Sequence, residues 1–390
     1  MALLLAGAVA PGCPVLDDDD DDDESDEGGG GAAGARDGPA EADAHAPHHG
    51  AKGKDKDAPA DEGRAAAAGV ALALPPPTGP VVPSLFEVKG GKAPLYLFGT
   101  IHLAVTAADE LPPIVWERLD GAAIAMFEAD VRKVDMMATA ARATLPDEES
   151  LERKLPPVEW KKLVEQAKGV LPEMALRRLQ PWFVVTALET SLFPPTTPMD
   201  QVLLERAAKS GKKLGFFETW EEQLDLIAKG LTVDDLVELV DERERFIDES
   251  RRLVLAYRAG DLAAAADIIY EVDAPKKHPA QLELLIFGRN ARWAPVLERL
   301  LAEGKGPVFV AVGCGHLVGD KGLVALLRAA GHEVVRLGAA EDAGTAAAAK
   351  AAPKGKDKDK GRDMGTGKGG RTGSGAGKAP APAPAGAVAP

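Results

Sequence analysis

The chain has 390 residues, of which 45% are hydrophobic and 27% charged, and its formal net charge is −15. Its middle is acidic and has no basic stripe, which argues against nucleic-acid binding. Residues 17–80 and 339–390 are rich in Gly, Ala, Pro and charged residues, and have too few large apolar side chains to form a core. We therefore expect one α/β domain at residues 81–338, with a disordered segment on each side.

The first thirteen residues, MALLLAGAVAPGC, form a short apolar stretch that ends in small residues and a cysteine. This pattern is typical of a bacterial lipoprotein signal, so it predicts a signal segment at residues 1–16 and a lipid on Cys13. Such a lipid would anchor the protein to the cell envelope, on the outer side of the cytoplasmic membrane or in the outer membrane. The stretch lacks a positively charged start and has Pro11 near its end, so a cytoplasmic protein is the alternative.

The first half of the domain begins with a hairpin and continues into a helical block. SLFEVKGGKAPLYLFGT contains two strands around Gly90 and Gly91. A helix is expected at residues 111–119, and AAIAMFEAD is typical of a buried strand in a parallel sheet. Residues 134–207 carry a helical pattern that several prolines interrupt.

The second half alternates strands and helices. The elements predicted here are a strand at residues 213–217, a helix capped by Thr219 and Glu222, a long helix from Thr232 to Gly260, a helix over residues 278–303 with a break at Gly288, and a βαβ unit from Pro307 to Leu337. This order predicts a mixed, partly parallel sheet with an N-terminal hairpin, a large central helical insertion and a C-terminal βαβ unit.

Four polar side chains stand just beyond the carboxyl ends of apolar strands: His102, Glu128, Glu218 and His316. Both histidines end a GxxH pattern, GTIH and GCGH. Ligands of open α/β sheets bind at this edge, so we expect the four side chains to share a site. Two imidazoles and a carboxylate suit a divalent metal (Mn, Co, Zn or Fe) that activates water. They equally suit a metal-free His–Glu pair that acts as general base.

Individual members of this set have competing structural roles. A single histidine beside a strand is more often a structural hydrogen-bonding group, and Glu218 precedes the helix cap at Thr219, where it could serve the helix dipole. Cys314 could join a metal or act as a nucleophile, but the role of a small filler is favoured. Arg289 could clamp a substrate carboxylate or orient Glu128.

The order of these motifs resembles the TraB/GumN family (TraB/PrgY/GumN), which is related to the Tiki proteins and more distantly to the ChaN and erythromycin-esterase groups. The matching segments are LYLFGTIHLAV, FEAD, PMDQVLLERAAKSGKKLGFFETWEEQLDLI and RNARWAPVLERLLAEGKGPVFVAVGCGHLVGDKGLVALLRAAGHEVVRL, within residues 84–337. From the Tiki relatives, the resemblance implies a metal-dependent protease in which His102, His316 and Glu128 hold the metal. Cys314 departs from the pattern, where Ala or another small residue is expected.

The leading hypothesis is a metal-dependent hydrolase that acts on a peptide or another small molecule, with a peptidase favoured. Glu128 or Glu218 would activate the water, and Arg289 would position the substrate. One alternative is a lipoprotein that binds a metal or a haem complex without turnover. Others are a metal-free hydrolase that uses a His–Glu pair, and a purely structural lipoprotein. The sequence predicts no oligomeric state.

Overall fold

The structure is a computed structural model that describes residues 72–270 and 278–339. The predicted signal segment, Cys13 and the tail from residue 340 lie outside the described residues, as does the linker up to residue 71. The signal, the lipid and the envelope location therefore stay predictions. Within the two described ranges, no helix is both long enough and apolar enough to span a membrane.

Six strands form one mixed sheet in the order β4-β3-β5-β2-β1-β6. The strands are β1 (Leu85–Val88), β2 (Leu95–Thr100), β3 (Ile124–Phe127), β4 (Lys213–Phe216), β5 (Val308–Gly313) and β6 (Val334–Leu337). The neighbours β4, β3, β5 and β2 run parallel, whereas β1 is antiparallel to both β2 and β6. The predicted α/β fold with a mixed, partly parallel sheet and an N-terminal hairpin is confirmed.

The two strands of the predicted C-terminal βαβ unit run in the same direction but are not neighbours. The helix Leu323–Ala329 carries the chain from β5 to β6, and the hairpin strands β2 and β1 lie between them in the sheet. Strand β2 takes the place beside β5 through an almost wholly apolar register, from Leu95 opposite Val308 to Thr100 opposite Gly313. The two GxxH segments therefore leave adjacent strands.

Most of the other described residues are helical. The helices are α1 (Ala107–Glu110), α2 (Pro113–Gly121), α3 (Met136–Ala143), α4 (Leu151–Lys154), α5 (Pro157–Gln166), α6 (Glu173–Leu176), α7 (Pro181–Thr190), α8 (Met199–Lys209), α9 (Trp220–Gly230), α10 (Val233–Asp241), α11 (Arg243–Ala259), α12 (Leu262–Tyr270), α13 (Pro279–Leu282), α14 (Gly288–Glu303) and α15 (Leu323–Ala329). Pro113, Pro157 and Pro181 each open a helix, where the missing N–H has no intrahelical partner to lose.

Two helix predictions need correction. The long helix from Thr232 to Gly260 is two helices, because α10 ends at Asp241 and Glu242 leaves the helical conformation before α11 begins. The helix predicted over residues 278–303 is interrupted by a π-helical turn at Glu283–Phe287. That turn lies directly before Gly288, where the break was predicted.

Helices cover both faces of the sheet. Phe309 and Ala311 of β5 belong to a core shared with α2, α8, α11 and α12, whereas Val308, Val310 and Val312 belong to a core shared with α14 and α15. This alternation is the two-residue period of a strand buried on both faces. A separate core lies in the central helices, around side chains such as Trp182 and Leu236.

The parallel arrangement determines where the site forms. Strands β2, β3, β4 and β5 end at the same edge of the sheet, and the four residues predicted for the site follow directly: His102, Glu128, Glu218 and His316. All four are buried.

Candidate functional site

Glu128 lies at the centre of the site, and both of its carboxylate oxygens accept hydrogen bonds. Oε1 accepts the backbone N–H of Gly313 at 2.7 Å. Oε2 accepts from Nη2 of Arg289 at 2.6 Å and from Nε2 of Gln223 at 2.8 Å. Burial alone would raise the pKa of Glu128, but the positive charge of Arg289, aided by the two histidines and the Gly313 N–H, lowers it to about 2. Glu128 is therefore a fixed carboxylate near neutral pH.

Arg289 lies behind Glu128 with a side chain that is 1% exposed. Its Nε donates to the carboxylate of Glu218 at 3.0 Å, and its Nη2 lies 2.9 Å from the same group and 2.6 Å from Glu128. Its Nη1 donates to the Leu285 carbonyl at 3.1 Å and lies 3.2 Å from Nε2 of His316. All three nitrogens of the guanidinium therefore contact protein acceptors. This geometry supports the role of orienting Glu128.

The chain reaches Arg289 through the π-helical turn. A Cβ on Gly288 would lie 2.8 Å from the Glu283 carbonyl, so the turn requires a residue without a side chain. Isolated π-helical turns are rare and occur often at functional sites, because the extra residue redirects the side chains that follow. Here those side chains are Arg289 and Asn290, which both point into the buried site.

Glu218 shares the Arg289 guanidinium with Glu128. Besides Arg289, it accepts a hydrogen bond from Nη2 of Arg292 at 3.2 Å. The helix cap itself is made by the predicted capping box, in which Glu222 N–H donates to the Thr219 hydroxyl at 3.1 Å and Thr219 N–H donates to Glu222 at 2.8 Å. The contacts of Glu218 are thus ion pairs with two arginines.

His316 is held in one tautomer by Asn290. The Asn290 amide nitrogen donates to the carbonyls of His316 at 3.2 Å and Lys321 at 2.9 Å, which leaves its oxygen 2.7 Å from Nδ1 of His316. Nδ1 therefore donates its hydrogen, and Nε2 is the acceptor that faces Arg289. Burial lowers the pKa of His316 to about 3, with Arg289 adding to the effect against the opposing pull of Glu128. The ring, 4.5 Å from that of Trp293, is neutral.

His102 has a different partner. Its Nδ1 lies 2.6 Å from Oδ2 of Asp200, and the Thr100 hydroxyl donates to the other Asp200 oxygen at 2.7 Å. Asp200 is in the first turn of α8. The sequence pattern does not single out Asp200 or Gln223. Asp200 stood inside the PMDQ segment of the resemblance, but an aspartate at a helix start is ordinary and gives no separate signal.

A cleft that is open to solvent lies beside this network. Its lining comprises the polar residues His102, Glu128, Asp200, Gln201 and Gln223 and the apolar residues Phe127, Ala129, Val131, Pro198 and Leu204. Among the described residues, no lysine or arginine lines the cleft. His316, Arg289 and Glu218 lie outside the lining, so of the four strand-end residues His102 and Glu128 face the cleft.

In this arrangement the predicted metal ligands have other partners. Over residues 72–270 and 278–339, no group of three or more His, Cys, Asp and Glu side chains is placed to hold a metal ion. Nε2 of His316 and both oxygens of Glu128 already face N–H donors, and the positively charged guanidinium of Arg289 lies 3.2 Å from Nε2 and 2.6 Å from Oε2. The ligand set His102, His316 and Glu128, and the choice among Mn, Co, Zn and Fe, stay predictions.

Cys314 is buried beneath the site, and its burial raises the pKa of the thiol to about 12. A Cβ on Gly99 would come within 3.0 Å of Cys314 Cα and of Ser84 Cβ, so the first GxxH strand packs directly on the start of the second motif. A neutral thiol in such close packing matches the favoured role of small filler. It does not suit a thiolate nucleophile.

Comparison with known proteins places the chain by family. The family model described as the TraB/PrgY/gumN family matches residues 84–336, which include strands β1 to β5, all but the last residue of β6, and both GxxH motifs. No curated protein and no solved structure matches the chain. The matched segment is well over half of the 390 residues. The protein belongs to the TraB/PrgY/gumN family.

Proposed function

We propose that the domain is a hydrolase that cleaves an uncharged amide or ester, with His102 as the general base for the attacking water. One observation carries the proposal. Of the strand-end residues that line the cleft, Glu128 is a fixed carboxylate with a pKa of about 2, which leaves the imidazole of His102 as the side chain that can act as base. This assignment moves the base from Glu128 or Glu218 to His102.

The cleft supplies the other groups that the reaction needs. Water in the cleft gives a proton to His102 and attacks the carbonyl carbon, and the imidazolium then returns the proton to the leaving group. Glu128 faces the same cleft and its charge acts on His102, so it favours the imidazolium. Gln223 donates one amide hydrogen to Glu128 and has a second, which could donate to the developing oxyanion.

The lining also indicates the class of substrate. An anionic group would meet the Glu128 carboxylate and, among the described lining residues, no cationic side chain. Arg132, next to Val131 of the lining, already donates to Asp130 at 2.7 and 2.8 Å. Five apolar side chains form the remaining wall. This chemistry suits an uncharged acyl group with an apolar side chain, such as the carbonyl of a peptide or ester, in line with the expected peptidase.

The test is turnover of p-nitrophenyl acyl esters and fluorogenic peptides by the full chain. We expect His102→Ala to lower kcat by about 10²–10⁴-fold, the usual contribution of a general base. His332→Ala is the matched control, because His332 does not line the cleft. This variant should leave the rate unchanged. Equal rates in the wild type and His102→Ala would overturn the proposal.

A metal-dependent hydrolase is the second candidate, and one observation favours it. Nδ1 of each strand-end histidine faces a protein oxygen, of Asp200 for His102 and of Asn290 for His316, as is usual for imidazoles that bind metal through Nε2. When bound, a metal would polarise the carbonyl or the water. Loss of turnover in a chelator, restored by Mn, Co, Zn or Fe, would select this candidate. Stoichiometric uptake of a metal or a haem complex without any product would select the binding protein.

A further inference from the structure

We propose that Asp200 is a positioning residue that holds His102 in the tautomer with a bare Nε2, and that Thr100 holds Asp200 in turn. The inference rests on the proposed function in one respect, because the tautomer matters for catalysis only if His102 is the base. The arrangement itself is a property of the folded protein and can be measured without any substrate.

The short contact between His102 and Asp200 determines the tautomer. The Thr100 hydroxyl donates to Oδ1 of Asp200 at 2.7 Å, and Nδ1 of His102 lies 2.6 Å from Oδ2. At this separation a bare Nδ1 would set its lone pair against that of the carboxylate oxygen, so Nδ1 carries the hydrogen. A neutral imidazole has one ring hydrogen, and Nε2 is then the basic nitrogen. Carboxylates orient catalytic histidines in the same way in hydrolases of unrelated folds.

The strand that carries Thr100 and the helix that carries Asp200 are also joined by the side chain of Tyr257. Thr100 is the last residue of β2 and Asp200 is in the first turn of α8. The buried Tyr257 hydroxyl of α11 donates to the Gly99 carbonyl at 2.8 Å and lies 3.4 Å from Sδ of Met199. The residues before Thr100 and before Asp200 are thus held by one side chain, which keeps the carboxylate opposite the imidazole. Preorganisation of this kind is what a catalytic base requires.

A purely structural role is the competing explanation. Asp200 could stabilise the start of α8 through the helix dipole and tie the helix to β2. That role predicts a loss of stability when Asp200 is replaced, but no preference for one ring nitrogen of His102. The position of the imidazole hydrogen therefore separates the two explanations.

The experiment is long-range ¹H–¹⁵N spectroscopy of the full chain labelled with ¹⁵N-histidine, at neutral pH with and without a chelator. His102→Gln assigns the His102 signals by difference. We expect a protonated Nδ1 and a bare Nε2 in the wild type. In Asp200→Asn the Thr100 hydroxyl keeps the remaining oxygen, so the amide N–H₂ faces the ring and the hydrogen moves to Nε2. We expect kcat to fall about 10²–10⁴-fold with little change in KM.

Two further variants test the Thr100 step and provide the control. Thr100→Val should populate the other tautomer in part, whereas Thr100→Ser, which keeps the hydroxyl, should match the wild type. Asp120→Asn removes a carboxylate from the exposed ion pair with Arg206 and should change neither the spectrum nor the rate. If Asp200→Asn does not fold, Thr100→Val against Thr100→Ser decides the question.

The outcomes separate this inference from the proposed function. A wild-type His102 with its hydrogen on Nε2, or unchanged His102 signals in folded Asp200→Asn, would overturn the positioning role. The expected spectra together with no turnover of any ester or peptide would uphold the positioning role and count against the hydrolase.

Discussion

Nη1 of Arg289 lies 3.2 Å from Nε2 of His316, and Nη2 of the same guanidinium lies 2.6 Å from Oε2 of Glu128. One buried cation thereby joins the second GxxH motif to the carboxylate that follows β3, and the same cation also contacts Glu218. His316 acts within this network as a neutral acceptor, and His102 faces the cleft with Asp200. The two motifs have the same spacing in the sequence but different partners in the structure.

Removal of Arg289 should destabilise the domain strongly. Arg289→Ala leaves Glu128 and Glu218 buried without the cation that opposes their desolvation, and breaking a buried ion pair from one side costs about 3–5 kcal/mol. Urea unfolding at pH 7 measures the loss. Arg292→Ala is the control, because Arg292 contacts the same Glu218 but is 58% exposed, and its loss should cost at most about 1 kcal/mol. Equal losses in the two variants would contradict the central place of Arg289.

The buried Glu189 should make the domain less stable as the pH rises, which is the opposite of the effect of most carboxylates. It lies buried in α7, and its Oε2 has no hydrogen-bond partner among the described residues. Burial raises its pKa from the ordinary 4.5 to about 7. The native state thus holds the proton more tightly than the unfolded chain. The resulting stability is present below pH 4.5 and is lost as the pH rises through 7, by about 3 kcal/mol in all.

Glu189→Gln removes this dependence, since the amide is neutral at every pH. We expect the variant to match the wild type at pH 4.5 and to exceed its unfolding free energy by about 3 kcal/mol at pH 8.5. Urea unfolding at the two pH values measures the difference. Glu165→Gln, at an exposed ion pair with Lys168, is the control and should show no such change. The idea fails if Glu189→Gln and the wild type keep a constant difference across this range.

Metal content tests the remaining prediction for the two histidines. The full chain is purified with His45, His48 and His49 replaced by Ala, so that these histidines of the N-terminal segment cannot hold metal themselves. We expect this protein to hold no stoichiometric metal that depends on His316, because Arg289 already faces Nε2 of His316. Elemental analysis after refilling with Mn, Co, Zn and Fe measures this, with His102→Ala/His316→Ala as the comparison. Near one equivalent in the parent and none in the double variant would instead establish the metal set inferred from the resemblance.

The position of the site was predictable from sequence, but its internal contacts were not. Apolar runs before His102, Glu128, Glu218 and His316 identify strand ends, and parallel strands share an edge, so their proximity follows from the pattern. The direction of Arg289 does not follow, because the π-helical turn adds a residue that a 3.6-residue period cannot reveal.

The sequence pattern also does not predict which residues meet when they are far apart along the chain. Asp200 reaches His102 from a helix 98 residues later, and Gln223 reaches Glu128 from 95 residues away. Neither residue type is unusual where it stands in its helix. The sequence predicts a strand at the end of the βαβ unit, but the pairing of this strand with β1 depends on the hairpin that occupies the place beside β5.

The lining of the cleft predicts discrimination by charge. Gln201 lines the cleft and donates to Glu205 one helical turn later at 3.0 Å. The wild type should favour a p-nitrophenyl ester with an uncharged butyryl group over one with a succinyl carboxylate, because the carboxylate would face Glu128 without a cation.

Gln201→Lys places a cation in the cleft and can keep its contact with Glu205. We expect it to improve kcat/KM for the succinyl ester by about tenfold, equivalent to 1.4 kcal/mol, while the butyryl ester changes little. Lys209→Gln is the control, because Lys209 is exposed and forms an ion pair with Glu205 from one helical turn later. This variant should leave the preference unchanged. A wild type that favours the succinyl ester would contradict an uncharged substrate and would indicate a cation that reaches the cleft from elsewhere in the chain.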